Sequence, residues 1–81
     1  PMFYTYIIKS EKDNGYYFGY TSDVDERLNR HNACKVKSTK ARRPFIIYYC
    51  ETFSTKQEAF QREKYFKSFE SRQWLKANNI I

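Results

Sequence analysis

Residues 3–20 read FYTYIIKSEKDNGYYFGY and carry the clearest folding signal in the chain. Phe3 to Lys9 is aromatic and β-branched, which suits a strand. Ser10 to Gly15 has the chemistry of a hairpin loop, with Asn14-Gly15 suited to positive φ. Tyr16 to Tyr20 then reads as the returning strand. A six-residue loop pairs Lys9 with Tyr16, Ile8 with Tyr17 and Tyr6 with Gly19. Alternation places Tyr4, Tyr6 and Ile8 on one face, together with Tyr17 and Gly19. Tyr6 and Tyr17 become diagonal neighbours, and Gly19 leaves open space beside Tyr6. A slip of one residue would destroy this arrangement.

Downstream, Ser22 and Asp23 are N-cap residues, and Asp23-x-x-Glu26 resembles a capping box. The helix they open is expected to run to Ala33. At about 100° per residue, Leu28 and His31 fall near Val24, Arg27 borders that apolar face, and Glu26 and Arg30 point away. Cys34 to Pro44 reads as a basic loop, with Arg43 held extended by Pro44. Phe45 to Glu51 (FIIYYCE) is apolar on both faces, as expected of a third strand covered by helices on at least one side. Thr55-x-x-Glu58 opens a second helix, expected to reach Phe69. In it Glu63 lies between Ala59 and Phe60, either as a paired or metal-binding carboxylate or as a surface partner of Lys67. Ser71 is placed to cap a last helix anchored by Trp74 and Leu75.

The chain has 81 residues, enough for one domain spanning 1–81. Its aromatic fraction of 20% supplies the large side chains that so small a core needs. Fifteen Lys+Arg against nine Asp+Glu give a net charge of +6. Lys35, Lys37, Lys40, Arg42 and Arg43 fall within nine residues that contain no acid, a pattern that points to a polyanion such as nucleic acid. Two cysteines sixteen apart and a single histidine argue against zinc and for free thiols in a reducing, cytoplasmic setting. No segment approaches the apolar length of a membrane span.

Taken in order, these residues resemble the GIY-YIG endonuclease family, whose members include the N-terminal nuclease domain of an excision-repair nuclease. The likeness is greatest to small stand-alone bacterial members. Tyr6 matches the tyrosine ending the first motif, and Tyr17-Phe18-Gly19 matches the second. Arg27 and His31 match the polar positions of the first helix, and Glu63 matches the metal-binding glutamate. Spacings of eleven, ten and four residues precede the glutamate helix. The first motif, Tyr4-Thr5-Tyr6, lacks the family's glycine and isoleucine. The downstream asparagine of many members has no assigned counterpart in Asn78 or Asn79. The resemblance implies an α+β fold, a three-stranded antiparallel sheet flanked by helices in the order β-β-α-β-α-α.

It also implies a metal-dependent endonuclease acting on DNA, with RNA as an alternative substrate and a role in repair or recombination. Mg²⁺ or Mn²⁺ would be held by Glu63 with waters and a phosphate oxygen. Arg27 would clamp the non-bridging oxygens, and Tyr6 or Tyr17 would activate the water. A phenol has a pKa near 10, so Arg27, His31 and the metal are expected to favour phenolate. The basic loop would track the backbone with a strong salt dependence. The rival readings are a non-catalytic nucleic-acid-binding module on the same fold and a structural or RNA-binding protein whose aromatics are core.

Overall fold

The computed structural model describes residues 1–33 and 36–81. Strands β1 (Phe3–Ser10) and β2 (Tyr16–Thr21) form the expected hairpin, followed by α1 (Val24–Asn32). After a short 3₁₀ turn at Lys40–Arg42 come β3 (Phe45–Phe53), α2 (Lys56–Phe66) and α3 (Ser71–Ala77). The sheet is antiparallel with order β2-β1-β3. The register is the one the loop length predicts: Tyr6 faces Gly19, Ile8 faces Tyr17 and Lys9 faces Tyr16. Asn14 takes the positive φ, at 61°, whereas Gly15 does not. At Gly15 a Cβ would lie 2.6 Å from an Arg42 guanidinium nitrogen, so a larger residue there would displace that side chain.

The central strand β1 is buried on both faces and divides the interior into two small cores. On one face Tyr6, Ile8 and Phe45 pack with Tyr17 and with Val24 and Leu28 of α1. On the other, Ile7 packs with Phe66 of α2, Leu75 of α3 and Ile80, with Phe18 and Trp74 at the margin. Thr5 Oγ1 donates to the Ala59 carbonyl at 2.7 Å and docks α2 onto that face.

The apolar run Phe45–Glu51 belongs to an edge strand. Pairing passes from Ile7–Tyr49 to Ile8–Ile47, which leaves Tyr48 as an extra residue in a bulge. Tyr48 stacks against Tyr16 while Tyr49 packs on Phe66, so the bulge turns two successive tyrosines toward the α2 side. Ile46 and Ile47 stay exposed.

Helix ends follow side-chain chemistry. Asp23 Oδ1 accepts from the Glu26 amide, and Thr21 Oγ1 accepts from the Asp23 amide, the position a full capping box would assign to Glu26. Thr55 caps α2 as expected, but α2 ends at Phe66 instead of Phe69. Ser68 Oγ donates to the Tyr65 carbonyl, and Ser71 Oγ donates to the carbonyls of Phe66 and Ser68. Ser71 therefore closes α2 and is the first residue of α3, whose N-cap is Glu70.

Candidate active site

The Tyr6 ring crosses the sheet face toward β2, where Gly19 has no side chain. The space expected beside Gly19 is filled by that ring: a Cβ on Gly19 would lie 2.5 Å from Tyr6 Cζ. From α1, His31 meets the phenol, with Tyr6 Oη 3.2 Å from His31 Nε2. Its other nitrogen, Nδ1, lies 2.8 Å from Thr39 Oγ1. Thr39 Oγ1 also lies 3.3 Å from the Val36 carbonyl. With the hydroxyl proton directed at Val36, Thr39 accepts from Nδ1–H and Nε2 accepts from the Tyr6 hydroxyl; with that proton directed at Nδ1, the shorter contact, the two roles reverse.

Electrostatics agree with this inventory. Burial, reinforced by Arg27 and Arg30, holds His31 below its usual 6.5, so it is neutral at pH 7. Burial also pushes the Tyr6 phenol up to about 12, against the opposing pull of Arg27; Tyr17 and Glu63 add smaller upward contributions. Without a metal, desolvation of the anion outweighs the pull of the Arg27 guanidinium at Tyr6.

Tyr17 is half-buried, its ring edge-on to His31 with centroids 4.8 Å apart. Arg27 is half-buried, and its Nε is enclosed with no hydrogen-bond partner among the described residues. An enclosed guanidinium donor is costly, by about 1–3 kcal/mol, unless something accepts from it. Its open side lies in a cleft of about 340 Å³ lined also by Tyr20, Thr21, Ser22 and Lys56.

Glu63 approaches from α2, on the opposite face of the sheet from α1. It is 9% exposed. Its neighbour Arg62 sets the helix rotation, with Nε and NH2 donating to the Glu51 carboxylate at 2.7 and 3.2 Å beneath the Trp74 ring. Glu63 Oε2 is 2.8 Å from the Lys67 ammonium, so the expected i, i+4 partner is present, but on a buried and not a surface carboxylate. Its charge registers at the Tyr6 phenol. No hydrogen bond joins it to Tyr6, Tyr17, Arg27 or His31 among the described residues.

The basic segment divides. Arg42 is committed to the hairpin turn: Nε pairs with Asp13 Oδ2 at 2.9 Å, NH2 approaches the Tyr16 carbonyl and the guanidinium lies over Phe45. Ser10 Oγ donates to the Arg42 carbonyl at 2.5 Å, and Lys12 Nζ donates to that of Ala41. Lys37, Lys40 and Arg43 are exposed. Lys35 and Cys34 lie outside the described residues; Cys50 is a free, exposed thiol. Two supporting residues escaped the sequence reading. One is Thr39, and the other is Asn32, whose amide exchanges two hydrogen bonds with the Phe45 backbone and ties α1 to β3.

Comparison with known proteins now bears on this constellation. A family model described as the GIY-YIG catalytic domain matches residues 2–77. The chain belongs to the GIY-YIG family. The chain is 50% identical over 74 residues to UPF0213 protein SH2523 of Staphylococcus haemolyticus, covering 90% of this chain and 89% of that one. It is 51% identical over 63 residues to UPF0213 protein YazA of Bacillus subtilis, covering 76% and 63%. The solution NMR structure of UPF0213 protein BH0048 from Bacillus halodurans superposes with a TM-score of 0.56 at 34% identity, covering 95% and 84%. The GIY-YIG match identifies a nuclease family with nucleic acid as its substrate class and divalent-metal chemistry as its general habit. No helix among the described residues is long and apolar enough to cross a membrane.

Glu63 suits a hard divalent ion. Among the described residues no three His, Cys, Asp or Glu gather into a cage. A single buried carboxylate that already attracts the Lys67 ammonium is the donor set expected when water and substrate phosphate supply the remaining ligands.

Proposed function

We propose that this protein is an endonuclease that hydrolyses DNA phosphodiester bonds with a divalent metal, Mg²⁺ or Mn²⁺, held at Glu63. The observation that carries the reading is the cluster of Arg27 beside the Tyr6 phenol, itself within hydrogen-bond distance of the His31 imidazole. The open side of Arg27 faces a cleft that also carries Lys56, so a phosphodiester oxygen has two cations to meet there.

The metal would contribute charge neutralisation at the leaving oxygen. The chain's residues do the rest. Arg27 binds a non-bridging phosphate oxygen. Tyr6 relays a proton from the attacking water to His31 Nε2, so phenolate never has to accumulate; because Tyr6 is 1% exposed, this step requires its enclosing side chains to part when substrate binds. Thr39 positions His31, and Tyr17, the more exposed phenol, orients the water. Lys37, Lys40 and Arg43 contact the backbone without reading sequence, with Lys35 as a further candidate. Arg42 contributes chiefly by holding that segment on the hairpin.

Labelled DNA incubated with Mn²⁺ tests this beside Glu63→Gln, Arg27→Ala and Tyr6→Phe. Removing a transition-state contact of this kind costs about 100-fold or more in rate, and wild-type-like cleavage by Glu63→Gln or Arg27→Ala would remove the proposal. The Lys67 ammonium on Glu63 favours one competing reading, a binding module in which the carboxylate is already neutralised. That protein would bind DNA, ignore Mn²⁺ and cleave nothing.

A further inference from the structure

A cleft of about 520 Å³ lies between β2 and the turn joining α2 to α3, away from the tyrosine–histidine cluster. Its floor includes Tyr16 and Phe18 of β2 and Phe66 of α2, and its rim carries Lys67, Arg72 and Lys76. Ser68, Leu75 and Ile81 complete the lining, and no Asp or Glu side chain is among these residues. The volume falls within the range of about 300–1,000 Å³ typical of small-ligand sites. Arg72 and Lys76 are exposed and make no ion pair among the described residues. An aromatic floor beside three basic side chains is complementary to a flat apolar body carrying negative charge. In a nucleic acid that description fits a base with its phosphates, provided the base is not already stacked and paired in a duplex.

Lys67 connects this cleft to the catalytic site, because the same ammonium that rims it pairs with Glu63 at 2.8 Å. A phosphate drawn to Lys67 would lie beside the carboxylate and compete with it for the cation. We propose that the cleft receives an unpaired nucleobase of the DNA strand being cut, its flanking phosphates held by Lys67, Arg72 and Lys76. The inference rests on the nuclease reading and narrows its substrate to DNA with an unpaired nucleotide next to the scissile bond.

The test is metal-free binding followed by fluorescence anisotropy. Two duplexes of one sequence are compared, one fully paired and one carrying a single unpaired fluorescent purine analogue. The unpaired duplex is expected to bind about tenfold tighter, the effect of one base stacked on aromatic side chains, with quenched emission. The Arg72→Ala/Lys76→Ala double variant should abolish that preference and lower the salt slope for the unpaired duplex by about 1.4–1.8, the loss of two phosphate contacts. Lys37→Ala/Lys40→Ala should weaken both duplexes alike. Equal affinity for the two duplexes without quenching would overturn the cleft assignment while leaving the nuclease reading intact. So would an Arg72→Ala/Lys76→Ala variant that weakens both by the same factor. Failure of the wild type to bind either duplex would overturn both.

Discussion

Replacing Thr39 with valine keeps the side-chain shape and deletes one hydroxyl. That hydroxyl is fully buried, 2.8 Å from His31 Nδ1 and 3.3 Å from the Val36 carbonyl, and the proposed relay has it accept from Nδ1–H. His31 is 1% exposed, so bulk water has no route to replace the lost acceptor. Leaving a buried donor unmet costs about 1–3 kcal/mol, and the long bond to Val36 adds little. A flip of the imidazole tautomer does not remove the cost. It would aim Nε2–H at the Tyr6 oxygen and leave the phenolic proton without its acceptor. A loss of about 2 kcal/mol is therefore expected, lowering Tm by about 8–16 °C in a domain of this size. Urea unfolding at neutral pH measures it, and Thr39→Ser, which keeps the hydroxyl, should recover most of the loss. Imidazole ¹⁵N shifts report the tautomer. Burial, then Arg27 and Arg30, depress the His31 pKa below 6.5, so the unfolded chain takes up a proton that the native state resists. The stability contributed by that depression is complete above about pH 6.5 and is lost as pH falls through the native pKa. If Thr39→Val unfolds within about 0.5 kcal/mol of wild type, with unchanged ¹⁵N shifts, the proposed chain of donors is wrong.

Gly19→Ala forces a Cβ against the Tyr6 ring, and overpacking of this kind costs about 1–3 kcal/mol; denaturant unfolding should show it, with cleavage falling as Tyr6 is pushed off His31. Arg42→Ala should lower thermal stability while changing the salt slope of DNA binding less than Lys37→Ala/Lys40→Ala, because its charge already faces Asp13. In alkaline titration Tyr6 and Tyr49 should ionise last, near 12, and Tyr6→Phe should delete one late step from the absorbance curve. The raised Tyr6 pKa adds stability that is complete below the unfolded value of 10 and is lost as pH rises through about 12.

The hairpin was legible because its turn chemistry and its two-residue alternation agree on one register, and a shift of either would expose Tyr6 and Ile8. The α1 face was legible for the same reason: Val24, Leu28 and His31 share a helical stripe. What escaped depends on contacts between distant segments. Thr39 is an ordinary polar residue in a basic stretch until the loop folds its hydroxyl under His31, eight positions away. Nothing local distinguishes Arg42 from Lys40, yet Asp13 claims one and not the other. The bulge at Tyr48 and the early end of α2 were hidden for related reasons. An apolar run does not disclose which strand is central, and serine hydroxyls terminate a helix only when they find its last carbonyls.

Charge counting alone leads to a phenolate, since Arg27 and a metal crowd the tyrosines. The geometry favours a different division of labour. Arg27 is one cation acting on a phenol enclosed by Ile8, Phe45 and α1, and enclosure penalises the anion more than the guanidinium helps it. A standing phenolate would therefore be costly even before its reactivity were used. In the proposed mechanism a neutral imidazole within hydrogen-bond distance of the phenol changes the requirement: the phenol need only relay a proton, with His31 as its final acceptor. The same enclosure that raises Tyr6 also lowers His31. Burial thus prepares both ends of the transfer in the directions it needs, with the phenol protonated and the imidazole vacant. Arg27 acts on the Tyr6 phenol and also opens onto the cleft shared with Lys56, so the proposed mechanism treats Arg27 and the Tyr6–His31 pair as parts of one device.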